Sequence, residues 1–238
     1  MEHSGSALHQ PGSWLHWIPL PPYMGDAVAV SWLVIIALTA VAYLGTRRMQ
    51  EVPSGLQNFL ETVVEGLDRF TRSVIGSEGD KFTPFIATLF IYIFIMNAIG
   101  LIPGFVSPTA TLNMTVALAL TVFVSTHYHG VRRHGGLKYL LHLVGEPKWL
   151  APLLFPMHLI SELARPLALS VRLFGNIFGE DQLILQLAIL SPVFLGFLPI
   201  PVHFFNMGFS LFVGLVQALV FSVLAAAYFA GAMAGEES

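Results

Sequence analysis

The stretch PLLFPMHLISELARPLALSVRLFGNIFGEDQLILQLAI, residues 152–189, decides the architecture. Its pattern is helical and mostly apolar throughout, interrupted only by Pro156 and Pro166. At about 1.5 Å per residue such a helix reaches about 57 Å, nearly twice the hydrocarbon thickness of a bilayer. A second run, residues 202–234, would reach about 50 Å. SPVFLGFLPIP, residues 191–201, lies between them and reads as a bend. Two overlong helices joined as a hairpin have to tilt strongly or lie partly along the membrane.

Working outward, the whole chain has the composition of a bilayer protein. Of its 238 residues 55% are apolar and 11% charged, and its mean hydropathy is +0.73. Soluble domains carry about a quarter charged residues. The formal charge of −3 is too mild to suggest a nucleic-acid partner. With no cysteine there is no disulfide framework, thiol nucleophile or Cys-ligated zinc. MEHSGSALHQPGSWLHW, at the start, has no Lys or Arg before its first apolar run and does not read as a cleaved signal peptide.

Three further runs approach the roughly 20 residues that a span requires. They are residues 27–45, followed by Arg47 and Arg48, then 82–102, and 109–126, which leads into HYHGVRRHGGLK. The positive-inside rule puts Arg47, Arg48, Arg132, Arg133 and Lys138 in the cytoplasm, with the N-terminus outside. Between the first two runs, Leu56, Phe59, Leu60, Val63, Val64, Leu67, Phe70 and Val74 recur at helical spacing. This is an amphipathic helix for the membrane surface or a partner, with Ser54 and Gln57 as a capping box and Gly76 as its stop.

The expected fold is therefore an all-α integral membrane protein with five membrane-crossing helices and one amphipathic surface helix. Residues 1–26 form an external segment, 27–46 the first pass, 54–76 the surface helix and 82–130 a helical hairpin. Residues 131–151 form a cytoplasmic connection, and 152–234 a long tilted hairpin that ends in the cytoplasm.

Placed at about 100° per residue, the polar groups of the hairpin align. His158, Glu162, Arg165, Arg172, Asn176 and Glu180 fall within a sector of about 80° on the first helix, and Asp181 points elsewhere. His203, Asn206, Ser210, Gly214, Gln217 and Tyr228 share a similar sector of about 80° on the second. Such stripes face protein or water, not lipid. Arg172 lies about twenty residues from each end of its helix, too deep for a short snorkel. Either it pairs with Glu162, Glu180 or Asp181 to fix packing, or it stands on an ion path as a permanent cation. An arginine does not give up its proton; carboxylates and histidines do. Glu162 on one side and Glu180 and Asp181 on the other then suit two separate aqueous inlets. A moving acid on a partner protein has to bridge them. One charge crossing 100 mV gains about 2.3 kcal/mol, a sufficient driving force.

SELARPLALSVRLFGNIFGEDQLI (161–184) followed by LVQALVFSVLAAAYFAGAM (215–233) resembles the subunit a family of bacterial-type F1Fo ATP synthases. The resemblance runs from the first pass to the C-terminus. It implies a stator beside a ring of c subunits, b-type peripheral stalk subunits as further partners, and two half-channels for protons, with sodium left open. It makes Arg172 the essential arginine facing the ring, Asn176 the asparagine of the RLFGN motif and Gln217 the glutamine near the arginine. Glu162 becomes a carboxylate of the cytoplasmic half-channel. Counting from the arginine gives Asp181 as the outer half-channel carboxylate, and the local GE pair gives Glu180; Asp181 is favoured for the match. Ser210 stands where some relatives carry an ionisable residue. His158, Arg165, His203, Asn206 and Ser210 are candidate channel-lining groups.

Other readings are simpler. His127, His129, His134 and His142 lack the accompanying carboxylate or cysteine of a metal site, and no metal or cofactor is expected. Asn97 reads as an interhelical hydrogen-bonding group, and Pro103-Gly104 as a turn. A secondary transporter would bring inverted repeats, of which the halves show no sign; a passive scaffold would tolerate apolar replacement of the stripes. No catalytic constellation supports an independent enzyme, and ATP chemistry would reside on other subunits.

Overall fold

The computed structural model describes residues 26–47, 49–50, 53, 55–76, 79–102, 105, 107–135, 151–194 and 199–233. Residues 1–25, Arg48, Ser54, Pro103-Gly104, Lys138 and His142 lie outside it, as do most of the 131–151 connection, the middle of the expected bend and the last five residues. Among the described residues there are helices and no strands. They are α1 (Asp26–Thr46), α2 (Leu56–Ile75), α3 (Gly79–Ile99), a 3-10 turn (Pro108–Ala110), α4 (Leu112–His134), α5 (Ala151–Phe194) and α6 (Pro199–Met233). Among the described residues four stretches are long and apolar enough to cross a membrane: Ala27–Thr46, Gly79–Ile99, Leu112–His134 and Met207–Met233.

A bilayer offers the backbone no partners, so hydroxyls in these helices turn inward onto it. Thr39 donates to the Ile35 carbonyl at 2.8 Å, Thr121 to Ala117 at 2.8 Å and Ser222 to Ala218 at 2.9 Å. Pro156 and Pro166 do not interrupt α5, which is helical through both and through Pro192. A proline removes one donor and crowds one carbonyl; the remaining ladder of a 44-residue helix holds its course. The segment expected to bend is also shorter than its proline content suggested. Helix continues to Phe194 and resumes at Pro199, because proline is well suited to the first turn of a helix.

The core lies where α3, α4, α5 and α6 meet. Ile86 and Ile93 of α3, Val122 of α4, Leu173 of α5, and Phe221 and Phe229 of α6 are fully buried there. A second cluster fixes α1 through Val30 and Val34 against Met96. Small residues let α6 approach its neighbours. A Cβ on Gly214 would stand 3.0 Å from that of Asn97, and Asn97 donates to the Gly214 carbonyl at 3.1 Å. Thr109 in turn donates to Asn97 Oδ1 at 2.7 Å, so Asn97 is the interhelical group its sequence context suggested.

α2 packs mainly on α3, and also touches α6 and α1. Thr83 donates to Asp68 at 2.8 Å, and Arg72 reaches both Asp68 and Asp80 at 2.8 Å. Leu60, Leu67, Phe70 and Val74 are half-buried, whereas Leu56, Phe59 and Val64 stay exposed. The helix stops at Gly76, whose φ of 86° and ψ of −151° suit glycine alone, with its N–H donating to the Arg72 carbonyl. At the other end the N-cap is Gly55, without a side-chain cap. Gln57 does not close a capping box there; it reaches back to the main chain of Gln50 at 3.0 and 3.1 Å.

Candidate functional site

Parts of the two polar stripes meet along the contact between α5 and α6. Near its middle Asn176 donates to Gln217 Oε1 at 2.6 Å. Gln217 is 3% exposed, and its Nε2 has no hydrogen-bond partner among the described residues. Toward one end the Glu180 carboxyl faces the Ser210 hydroxyl. Glu180 Oε2 and Ser210 Oγ are both buried and complete no hydrogen bond. Three buried polar atoms without partners therefore follow one helix contact, where native interiors leave few.

Toward the other end Arg165 holds both oxygens of Glu162, at 2.9 and 3.0 Å. Its guanidinium also lies over the Tyr228 ring of α6, 5.3 Å from the centroid. His127 of α4 brings its Nε2 to 3.4 Å from Glu162. Sequence reasoning placed His127 in a group of interfacial histidines and missed this contact. The only cue was the proximity of HYH to the end of its span. His129 packs instead between Phe82 and Phe229, and His134 donates to the Ala232 carbonyl at 3.2 Å.

Arg172 stands between these two ends. It lies ten residues after Glu162 and eight before Glu180, about 15 and 12 Å along a helix. Among the described residues it makes no ion pair or hydrogen bond, and its side chain is exposed. Pairing with Glu162 or Glu180, the packing role open from sequence, is not what the geometry shows. Leu169, Leu173 and Ile177 turn into the core. Arg172 shares its open side with Ser161, Ala164, Ala168, Gly175 and Gly179, all exposed and within about 80° of one another. A Cβ on Gly175 or Gly179 would meet nothing within 4 Å.

The structure thus brings together Glu162 with Arg165, Asn176 with Gln217, and Glu180 with Ser210, and leaves Arg172 outward. His158 lies one turn before Glu162 on an exposed part of α5. Asp181, His203 and Asn206 are on α5 and α6, but their side chains fall outside the described residues.

The family described as "ATP synthase A chain" matches residues 28–230. "ATP synthase subunit a" of Desulfosudis oleivorans is 44% identical over 206 residues, covering 87% of each chain. "ATP synthase subunit a 1" of Syntrophotalea carbinolica is 47% identical over 206 residues, covering 87% of this chain and 85% of that protein. "ATP synthase subunit a" of Geobacter sulfurreducens is 41% identical over 208 residues, again covering 87% of each. With the match running from the first span almost to the end of α6, the chain belongs to the ATP synthase A chain family.

Proposed function

We propose that this protein is the stator subunit of the membrane sector of a rotary ATP synthase, coupling ion flow across a bacterial membrane to rotation of a c-subunit ring. The observation that carries the reading is Arg172, an unpaired and exposed cation midway along α5, with a carboxylate on each side of it. A lone arginine facing lipid is costly. A ring helix that presents an acid to this open face removes the cost. Small residues beside Arg172 let such helices come close and slide past.

In this reading Glu162 lines the cytoplasmic half-channel. Glu180 lines the outer one with Ser210, and Asp181 belongs to the same inlet. The unpartnered atoms of Glu180, Ser210 and Gln217 are sites for the water that carries protons inward. Arg172 attracts the ring carboxylate, favours release of its proton and separates the inlets. α5 supplies the fifth crossing, strongly tilted with α6. The chain is organised as an external segment to residue 26, a pass, the surface helix, a hairpin, a connection and the long hairpin. Arg47, Arg132 and Arg133 set its sense in the inner membrane, with the N-terminus outside. The b-type stalk subunits hold it against the ring.

Cross-linking tests the open face. The chain has no cysteine of its own, so Ala168→Cys is expected to form a disulfide with a cysteine placed mid-membrane on the ring helix, and Ile36→Cys on exposed α1 is not. Equal cross-linking from both, or none from Ala168→Cys, contradicts the assignment.

A further inference from the structure

We infer that His127 is a proton-transfer residue that works as one unit with Glu162, the pair binding a single proton between Nε2 and the carboxylate. This inference rests on the ion-path reading and adds to it a helix, α4, that the two stripes do not include. Hydrogen bookkeeping leads to it. His127 Nδ1 lies 2.9 Å from the Phe123 carbonyl. A carbonyl only accepts, so Nδ1 carries a hydrogen. In the neutral ring Nε2 is then a bare acceptor. Yet Nε2 sits 3.4 Å from Glu162 Oε1, too close for a water between them and unfavourable for two lone pairs. One proton bound between the two atoms turns that contact into an attraction.

The surroundings hold this geometry. The His127 ring lies against Phe123, with centroids 4.1 Å apart, and the Glu162 side chain is 13% exposed. Among the described residues Arg165 on α5 contacts the pair, with Tyr228 of α6 under its guanidinium, and His158 lies one turn earlier on α5. Farther along α4, Arg133 reaches Met233 Sδ and His134 reaches the Ala232 carbonyl. Arg165 holds the Glu162 carboxylate through charge-assisted contacts. His127 supplies the second basic site that lets a proton rest beside that anion. Loading takes a proton from water at the inlet; unloading passes it inward toward the ring carboxylate. The ring of His127 then returns to its neutral Nδ1–H form.

The test uses the whole complex in vesicles with ATP-driven acidification, and varies pH separately on the ATP side and in the lumen. Native complex is compared with His127→Gln, Glu162→Gln, the double variant and Arg172→Ala, with ring co-purification as the assembly check. His127→Gln is expected to pump like native in acid. Its pumping relative to native should fall as the ATP-side pH rises, because the second basic site of the pair is missing. Lumen pH should leave that ratio unchanged. The double variant should be no worse than Glu162→Gln, as for residues that act together. A loss equal at every pH, or losses that multiply in the double variant, overturns the inference and leaves His127 a packing residue. Should His127→Gln fail to assemble, Glu162→Gln carries the same pH test with His127 in place. If Arg172→Ala pumps undiminished, the ion-path reading itself fails. If Arg172→Ala is inactive while His127→Gln follows the native pH profile, only the role of the pair fails.

Discussion

Gln217 is buried on α6 with its oxygen bonded to Asn176 and its amide nitrogen without a partner. The two ends of this contact behave differently on mutation. Asn176→Ala leaves the buried Gln217 oxygen unpartnered as well, and is expected to cost about 1–3 kcal/mol. Gln217→Leu removes the buried amide whole and leaves only the exposed Asn176 amide without its partner, so it should cost less. Both should depress ATP-driven pumping. Thermal unfolding of the detergent-solubilised complex beside vesicle acidification separates the effects. A stability loss from Gln217→Leu larger than from Asn176→Ala would contradict the assignment. Placement on a stripe was legible for both residues from the helical period alone. Their pairing was not, because the period says nothing about how far one helix slides along the other. His127 was illegible for a similar reason: only the fold brings α4 to the start of α5.

At the scale of elements, the period and the apolar content made the helices readable, and their interruptions were not. Residues 152–189 were readable as one long helix despite Pro156 and Pro166, and a long ladder of remaining hydrogen bonds carries α5 through both. Gly76 was read correctly as the stop of α2, since its backbone conformation admits little else. Gly76→Ala should cost about 1–3 kcal/mol and loosen α2 from α3, seen as faster hydrogen exchange along α2. Unchanged exchange would contradict the role of the cap. The contact that seats α6 on α3 joins Asn97 to Gly214, 117 positions apart. No local pattern announces it. A glycine within a polar stripe hints at close approach without naming the neighbour.

Across the whole molecule, the C-terminal ends of α4 and α6 meet the starts of α3 and α5. Phe82 packs on His129 and Phe229, and Glu162 lies beside His127. Arg132 and Arg133 mark the same end. A cysteine replacing exposed Arg132 should react with an impermeant thiol reagent in inverted vesicles and be protected in intact cells; the reverse would invert the orientation. Charge placement raises an expectation of sidedness, whereas the exposed face around Arg172 needed the structure, because openness is a property of packing. The central claim is that Arg172 works on a moving ring and does not serve packing. ATP-driven acidification of vesicles that carry the assembled complex, native against Arg172→Ala, tests it most directly, with ring co-purification measured in the same samples. The account predicts that pumping is lost while assembly persists. Undiminished pumping in a fully assembled Arg172→Ala complex would contradict it.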